Sequence, residues 1–340
     1  MIDVDRSRGR GLKKGRSASF HLTALVLTTG LFGPEIASAH VGGPPVDPDR
    51  WWTTWSPSFL QVLPIFVVLG LYLWRAARLG PRLPRWRAVC FLGGIAVLLV
   101  ALTSPIDPIG EQGLFSVHMG QHMLLGDLAP LLLVLGATGP VLRPVLAKRT
   151  AQRIKAVTHP VSSLIIWAAI TVIWHLPVMY EAALRNPLIH AAEHACFFTA
   201  GCLMWGALIE TLPGPEWFGT GMKLGYVAAV RVVTTILGNI FWWSGTPIYG
   251  AYRDDTAAWG LSPLQDQAMA GTVMMAYTGA TTLTMVAVLF FRMAKESELR
   301  QQLIEAGVDP RSARRAIRYG RGEALANRHG VASTPLVTER

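Results

Sequence analysis

The chain has 340 residues, of which 51% are hydrophobic and only 15% charged, too few charges for a soluble globular protein of this length. Its net charge of +10 does not signal nucleic acid, because the basic residues sit in short clusters between apolar runs. The sequence carries no nucleotide-binding loop, hydrolase triad or soluble catalytic domain, so it reads as an all-α, polytopic membrane protein that is not an enzyme.

The first element is a targeting segment. Arg6, Arg8, Arg10, Lys13, Lys14 and Arg16 form a basic stretch, followed by an apolar core from Phe20 to Phe32 and a small-x-small site at Ala37-Ser38-Ala39. That order predicts a cleaved signal peptide over residues 1–39, the alternative being an uncleaved signal anchor. Cleavage would leave His40 at the mature N-terminus, heading an extracytoplasmic segment over residues 40–57.

A bilayer core needs about 20 apolar residues per helix. Seven such runs follow within residues 58–292: Ser58–Trp74, Trp86–Ser104, Leu114–Ala137, Pro160–Leu176, Leu188–Glu210, Lys223–Trp243 and Pro263–Phe291. The loop after the first carries Arg75, Arg78, Arg82, Arg85 and Arg87; the loop after the third carries Arg143, Lys148, Arg149, Arg153 and Lys155. The alternate loops hold only Arg50, Arg185 and Arg253. The bias predicts a cell-membrane protein with its mature N-terminus outside and its C-terminus in the cytoplasm. Residues 293–340 form a basic tail whose last part, Asn327 to Arg340, is expected to be disordered. A solvated tail that fixes topology is the first reading, and binding to anionic lipid a weaker second.

Five of the nine histidines carry the functional argument. His118 and His122 are four apart on the third run, and His190 and His194 repeat the spacing on the fifth, so each pair shares a helix face. His175 ends the fourth run. Counting rise per residue puts all five within roughly 12 Å of the outer boundary. Ionisable groups in hydrocarbon default to a functional reading, and imidazole suits copper, zinc or iron. The competing reading is hydrogen bonding between helices or a wet crevice.

Other residues carry less. Met269 is a thioether candidate, as are Met119, Met123, Met274 and Met275, although Met also fills apolar cores. Asp266 either orients a histidine or caps its helix, and Glu193, beside His194, has the same two readings. His40 would offer an amine and an imidazole together, or is an accident of the cleavage site. The three cysteines, Cys90, Cys196 and Cys202, lie in apolar stretches without a CxxC and read as packing residues. Arg231 and Asp127, counted from opposite ends, lie about 18 Å and about 20 Å below the outer boundary and are expected to form a structural ion pair.

At these residues the chain resembles the CtaG family of cytochrome c oxidase assembly proteins, the polytopic kind and not the single-span copper chaperone of the same name. The resemblance rests on Ser104-Pro105-Ile106-Asp107, the run from Leu114 through His118-Met119-Gly120-Gln121-His122 to Leu125, Ala129-Pro130 and Leu135-Gly136. A second block is Trp174-His175-Leu176-Pro177, Tyr180, Asn186-Pro187, His190 and Glu193-His194; a third is Asp266-Gln267 with Ala270-Gly271. It covers most of residues 50–292, and Asp127 and Asn239 depart from it. The resemblance implies a seven-span assembly factor that handles copper for the oxidase's catalytic subunit, with His118, His122, His175, His190 and His194 as ligands. Three other readings compete: a b-type haem protein, a membrane di-iron oxygenase and a metal-free scaffold for an oxidase subunit. The oxygenase is disfavoured by too few histidines and by their outward placement.

Overall fold

The computed structural model describes residues 46–57, 59–137, 140–142, 154–211, 214–252 and 256–331. The expected signal peptide and His40 lie outside them. Among the described residues the chain is helical, with no strand.

Helix α1 (Phe59–Leu79) and helix α2 (Arg85–Thr103) form a hairpin at one side of the bundle. Phe59, Phe66, Leu71 and Trp74 on α1 are exposed, as residues facing lipid tails would be. Their inner faces close a core with Ala129 and Leu133 of the third span. A short helix, α3 (Ile106–Gln112), folds back at the end of α2 before the third span begins.

That span runs Phe115–Gly136 in three pieces: α4 (Phe115–Met123), a π-helical turn (Leu124–Leu128) and α5 (Ala129–Gly136). The cause of the widened turn is Pro130. It has no N–H to donate to the Gly126 carbonyl, and its ring crowds that oxygen, so the preceding turn opens. At the same level this turn meets the fifth span, α8 (Pro187–Ile209). A Cβ on Gly201 would lie 2.0 Å from the Gly126 carbonyl oxygen, so glycine alone permits this approach.

The expected fourth span differs. Helix α6 (Pro160–Trp174) has 15 residues and ends before Pro177, and helix α7 (Pro177–Arg185) leaves it at 71°. Fifteen residues rise about 22 Å, short of a bilayer core of about 30 Å. The break follows from Leu176, which precedes a proline and is extended at ψ 134°. Among the described residues there are therefore six helices long and apolar enough to cross a membrane, or seven if the bent pair counts as one span.

Helix α9 (Thr220–Trp243) packs along the last span, α10 (Pro263–Glu305), which starts in a capping box between Ser262 and Gln265. The expected boundary at residue 292 is no break: α10 runs on for 43 residues in all. Helices α11 (Pro310–Arg318) and α12 (Gly322–Arg328) fold against its extension around Leu299, Leu303, Val308, Ala313, Ile317 and Ala326. Asn327 and Arg328, expected to be disordered, end α12; residues 332–340 lie outside the described part.

This tail docks through Glu210, which ends α8 with a left-handed φ of 59°. Its carboxylate accepts from Lys223 Nζ at 2.9 Å and from both terminal nitrogens of Arg318. Burial pushes the Glu210 carboxyl up, but Arg318 and Lys223 outweigh it and hold the group below its ordinary value.

Candidate metal centre

The site is built from α4 and α8; just beyond α4, at Gly126 in the π-helical turn, the backbone of the third span touches α8 at Gly201. Each helix turns its i,i+4 histidine pair toward the other. His118, His122, His190 and His194 are all buried, and each offers a nitrogen within 4.8 Å of the others'. Among them, His118 Nε2 and His122 Nε2 are 2.8 Å apart.

Supporting groups fix the rings. His118 Nδ1 lies 3.2 Å from the Gly110 carbonyl of α3 and 3.1 Å from the Tyr252 hydroxyl. Tyr252 itself donates to Gly110 at 2.8 Å and bonds the Tyr180 hydroxyl at 3.0 Å. With Gly110 accepting, Nδ1 of His118 carries the proton and its Nε2 is a lone pair. His122 must then present Nε2–H to make the 2.8 Å contact, which leaves its Nδ1 a bare acceptor. On α8, His190 Nδ1 is 2.8 Å from Glu111 Oε1. A carboxylate behind an imidazole orients the ring and strengthens the opposite nitrogen as a donor to metal.

His175 sits at the bend between α6 and α7. Its Nδ1 donates to the Thr171 carbonyl at 2.7 Å, and Tyr249 holds its carbonyl at 2.7 Å. Its ring centroid is 6.5 Å from that of His122, next to the four-histidine group and not inside it. The two rings share a small cavity of about 50 Å3, lined also by Phe197, Met204 and Met274.

The site's defining property is what it leaves unpaired. Among the described residues, His122 Nδ1, the Nε2 atoms of His175, His190 and His194, and both Glu193 oxygens are buried without a hydrogen bond. Glu193 Oε1 lies 4.0 Å from His122 Nε2, and Oε2 4.0 Å from His190 Nε2. Each such orphan costs about 1–3 kcal/mol. One cation placed among them would engage several at once, and an imidazole and carboxylate donor set suits copper or zinc. A haem does not fit: nitrogens this close, with so small a cavity beside them, leave no room for a macrocycle.

The expected site residues divide. His118, His122, His190, His194 and Glu193 come together, with His175 adjacent. Met269 is 46% exposed and faces away from the buried group. Asp266 does not orient a histidine; it accepts from the Phe115 and Ser116 amides at 2.7 and 3.1 Å, capping α4 from α10. The expected Asp127–Arg231 pair does not form. Asp127 accepts from the Trp205 indole, while Arg231 donates to the Met275 carbonyl at 2.8 Å and to Thr278 Oγ1 at 2.7 Å. Neutral partners nearer at hand answer both charges. Asn239, the other departure from the family pattern, donates to the Thr235 carbonyl of its own helix. Sequence reasoning named Tyr180 only within the family resemblance and missed Glu111, Gly110, Tyr249 and Tyr252 as supports of the site. Of these, only Glu111 carried a signal, an acid between apolar runs at the depth of the histidines.

Comparison with known proteins places this geometry. A family model described as cytochrome c oxidase caa3 assembly factor (Caa3_CtaG) matches residues 68–296. An uncharacterized protein of Mycobacterium leprae is 26% identical over 271 residues, covering 73% of this chain and 40% of its own length. Uncharacterized proteins of Mycobacterium bovis and Mycobacterium tuberculosis are each 25% identical over 236 residues, covering 64% of this chain and 36% of theirs. The chain thus spans well under half the length of these curated relatives. No solved structure matches. The family match takes in every described helix from the middle of α1 to the extension of α10, with the whole histidine group, and the chain belongs to the cytochrome c oxidase caa3 assembly factors.

Proposed function

We propose that this multi-pass membrane protein carries copper to the catalytic subunit of a cytochrome c oxidase, binding the ion among His118, His122, His190 and His194. The observation that carries the reading is the group of four buried imidazoles with nitrogens within 4.8 Å of one another, several of them unpartnered. Copper is cargo here, not a resident cofactor, and the role is that of a binding protein. Glu193 supplies negative charge at the site, Glu111 steadies His190, and His175 is a neighbouring ligand for arrival or departure. The Lys and Arg bias of the loops puts the histidine end outside the cell membrane and the tail in the cytoplasm. Passage to a subunit with similar ligands then needs only contact and a downhill affinity.

The test is metal analysis of the purified full chain after copper loading, beside a variant with the four histidines changed to Ala. The expected result is about one copper per chain in the first and background in the second. Equal copper in both sinks the proposal. Oxidase activity in a deletion strain, with and without added copper, separates delivery from the second reading, a metal-free scaffold. Restoration by copper supports delivery. The same copper-rescued loss in a strain complemented with the four-Ala variant supports delivery through this site; a deletion loss that copper leaves unchanged, with full complementation by that variant, favours the scaffold.

A further inference from the structure

At the end of the bundle opposite the histidines, a recess of about 840 Å3 opens between the start of α9, the extension of α10 and helix α11. Seven basic side chains line it against two acidic ones, Glu216 and Glu296. The acids are already engaged: Glu216 lies 3.6 Å from Arg315, and Glu296 accepts from Arg292 at 2.8 Å and from Thr220 at 2.7 Å. Lys223 and Arg318 are held by Glu210. Arg300, Arg311 and Arg314 remain exposed on the recess wall, and none of them forms an ion pair among the described residues.

A second, independent feature faces the same space. Helix α9 is 24 residues long, and its N-terminus carries no side-chain cap and no acidic residue in its first turn. Its first amides have no partner within the helix, and the helix dipole makes that end attractive to anions. Gly219 and Gly221 line the recess, and a Cβ on either would meet nothing within 4 Å, so the backbone is open to approach. The rim is apolar: Trp217, Met222 and Met293 are exposed beside the lipid-facing surface of α9 and α10.

We infer that this recess binds the phosphodiester headgroup of an anionic phospholipid, with its acyl chains running along the rim. Arginines and free amides supply the chemistry for phosphate. The volume suits a whole headgroup better than one small ion, and the apolar rim selects a lipid over a free phosphate. Basic recesses between helices at the cytoplasmic level take such headgroups generally.

The experiment uses the full chain, delipidated in detergent and titrated by native mass spectrometry with phosphatidylglycerol, phosphatidylcholine and inorganic phosphate. Wild type is expected to bind phosphatidylglycerol at least about tenfold more tightly than phosphatidylcholine, given about 1 kcal/mol per basic residue near a lipid phosphate. The triple variant Arg300→Gln, Arg311→Gln, Arg314→Gln loses that preference. A control with Arg78, Arg82 and Arg85 changed to Gln, at and between the facing ends of α1 and α2 at the same end of the bundle, keeps it. Equal loss in both variants would mean diffuse attraction and no site. Displacement of the lipid by inorganic phosphate at equal concentration would make the ligand a soluble anion. Either outcome overturns the inference, as does equal affinity of wild type for the two lipids. The three arginines are exposed, so an unchanged thermal transition shows that the variant is folded.

Discussion

Two places in this molecule bury polar groups from distant parts of the chain, and they treat them in opposite ways. Around Glu210 the carboxylate is answered on both oxygens: it receives Lys223 and Arg318 from two other helices, and of these groups Arg318 Nε alone lacks a hydrogen bond among the described residues. Around Glu193 the carboxylate and four imidazole nitrogens are left without hydrogen bonds, although they lie deeper. Near-saturation suits a structural joint, because a joint gains by leaving little unpaired. The unpaired groups around Glu193 are those the proposed ion would engage.

The largest contrast comes from removing ligands. Changing His118 and His194 together to Ala takes one imidazole from each helix, and copper affinity should fall by more than about 100-fold, since the ion loses half of a four-nitrogen set. Competition with a chromogenic chelator reads this directly, and an unchanged affinity would break the comparison. The joint should respond in stability instead. Glu210→Gln should weaken docking of α11 and α12 by about 2–3 kcal/mol, by stranding Lys223 and Arg318. Limited proteolysis of the tail shows it, with copper content unaltered.

The same joint has a pH signature. Because the Glu210 carboxyl is held below its ordinary value, its contribution is complete above the usual carboxylate range and is lost as pH falls through the lowered value. Tail protection should therefore fade in wild type only on acidification below the ordinary carboxylate range, but stay flat and low in Glu210→Gln.

Smaller effects sharpen the boundary of the site. Glu111→Gln should reduce copper affinity about 10- to 100-fold, the usual loss when a carboxylate behind a metal-bound imidazole is neutralised. Arg231→Met should leave copper affinity within about twofold, because the groups it bonds, Met275 and Thr278, lie outside the histidine group. A tenfold loss there would mean that the site extends deeper than the geometry indicates.

Much of this was legible before any coordinates. Apolar runs gave the spans, because a bilayer demands a fixed length of hydrocarbon-compatible helix. The i,i+4 histidine pairs foretold the four-histidine group, because rise per residue fixes depth and the helical repeat fixes which side chains share a face. The same count failed for Asp127 and Arg231: equal depth says nothing about which way two side chains turn, and Trp205 and the Met275 carbonyl were closer. Glu111 and Tyr252 escaped notice for another reason. They stand on a seven-residue helix and in the segment between α9 and α10, where no periodic pattern betrays position, and Tyr252 reaches His118 across 134 residues of sequence. The broken fourth span was visible only as Pro177, whose effect on Leu176 is plain once the bend is known.

The contact between Gly126 and Gly201 sets a limit on what the histidines can grip. It lies only four residues beyond His122 and seven beyond His194, and it is peptide against peptide, with no pliable side chain between. The spacing of the two helices is thereby set by van der Waals contact between main chains, like a calliper locked at its pivot. Adding one methyl group at Gly201 would force the jaws apart and change the size of ion they close upon, without touching a single ligand.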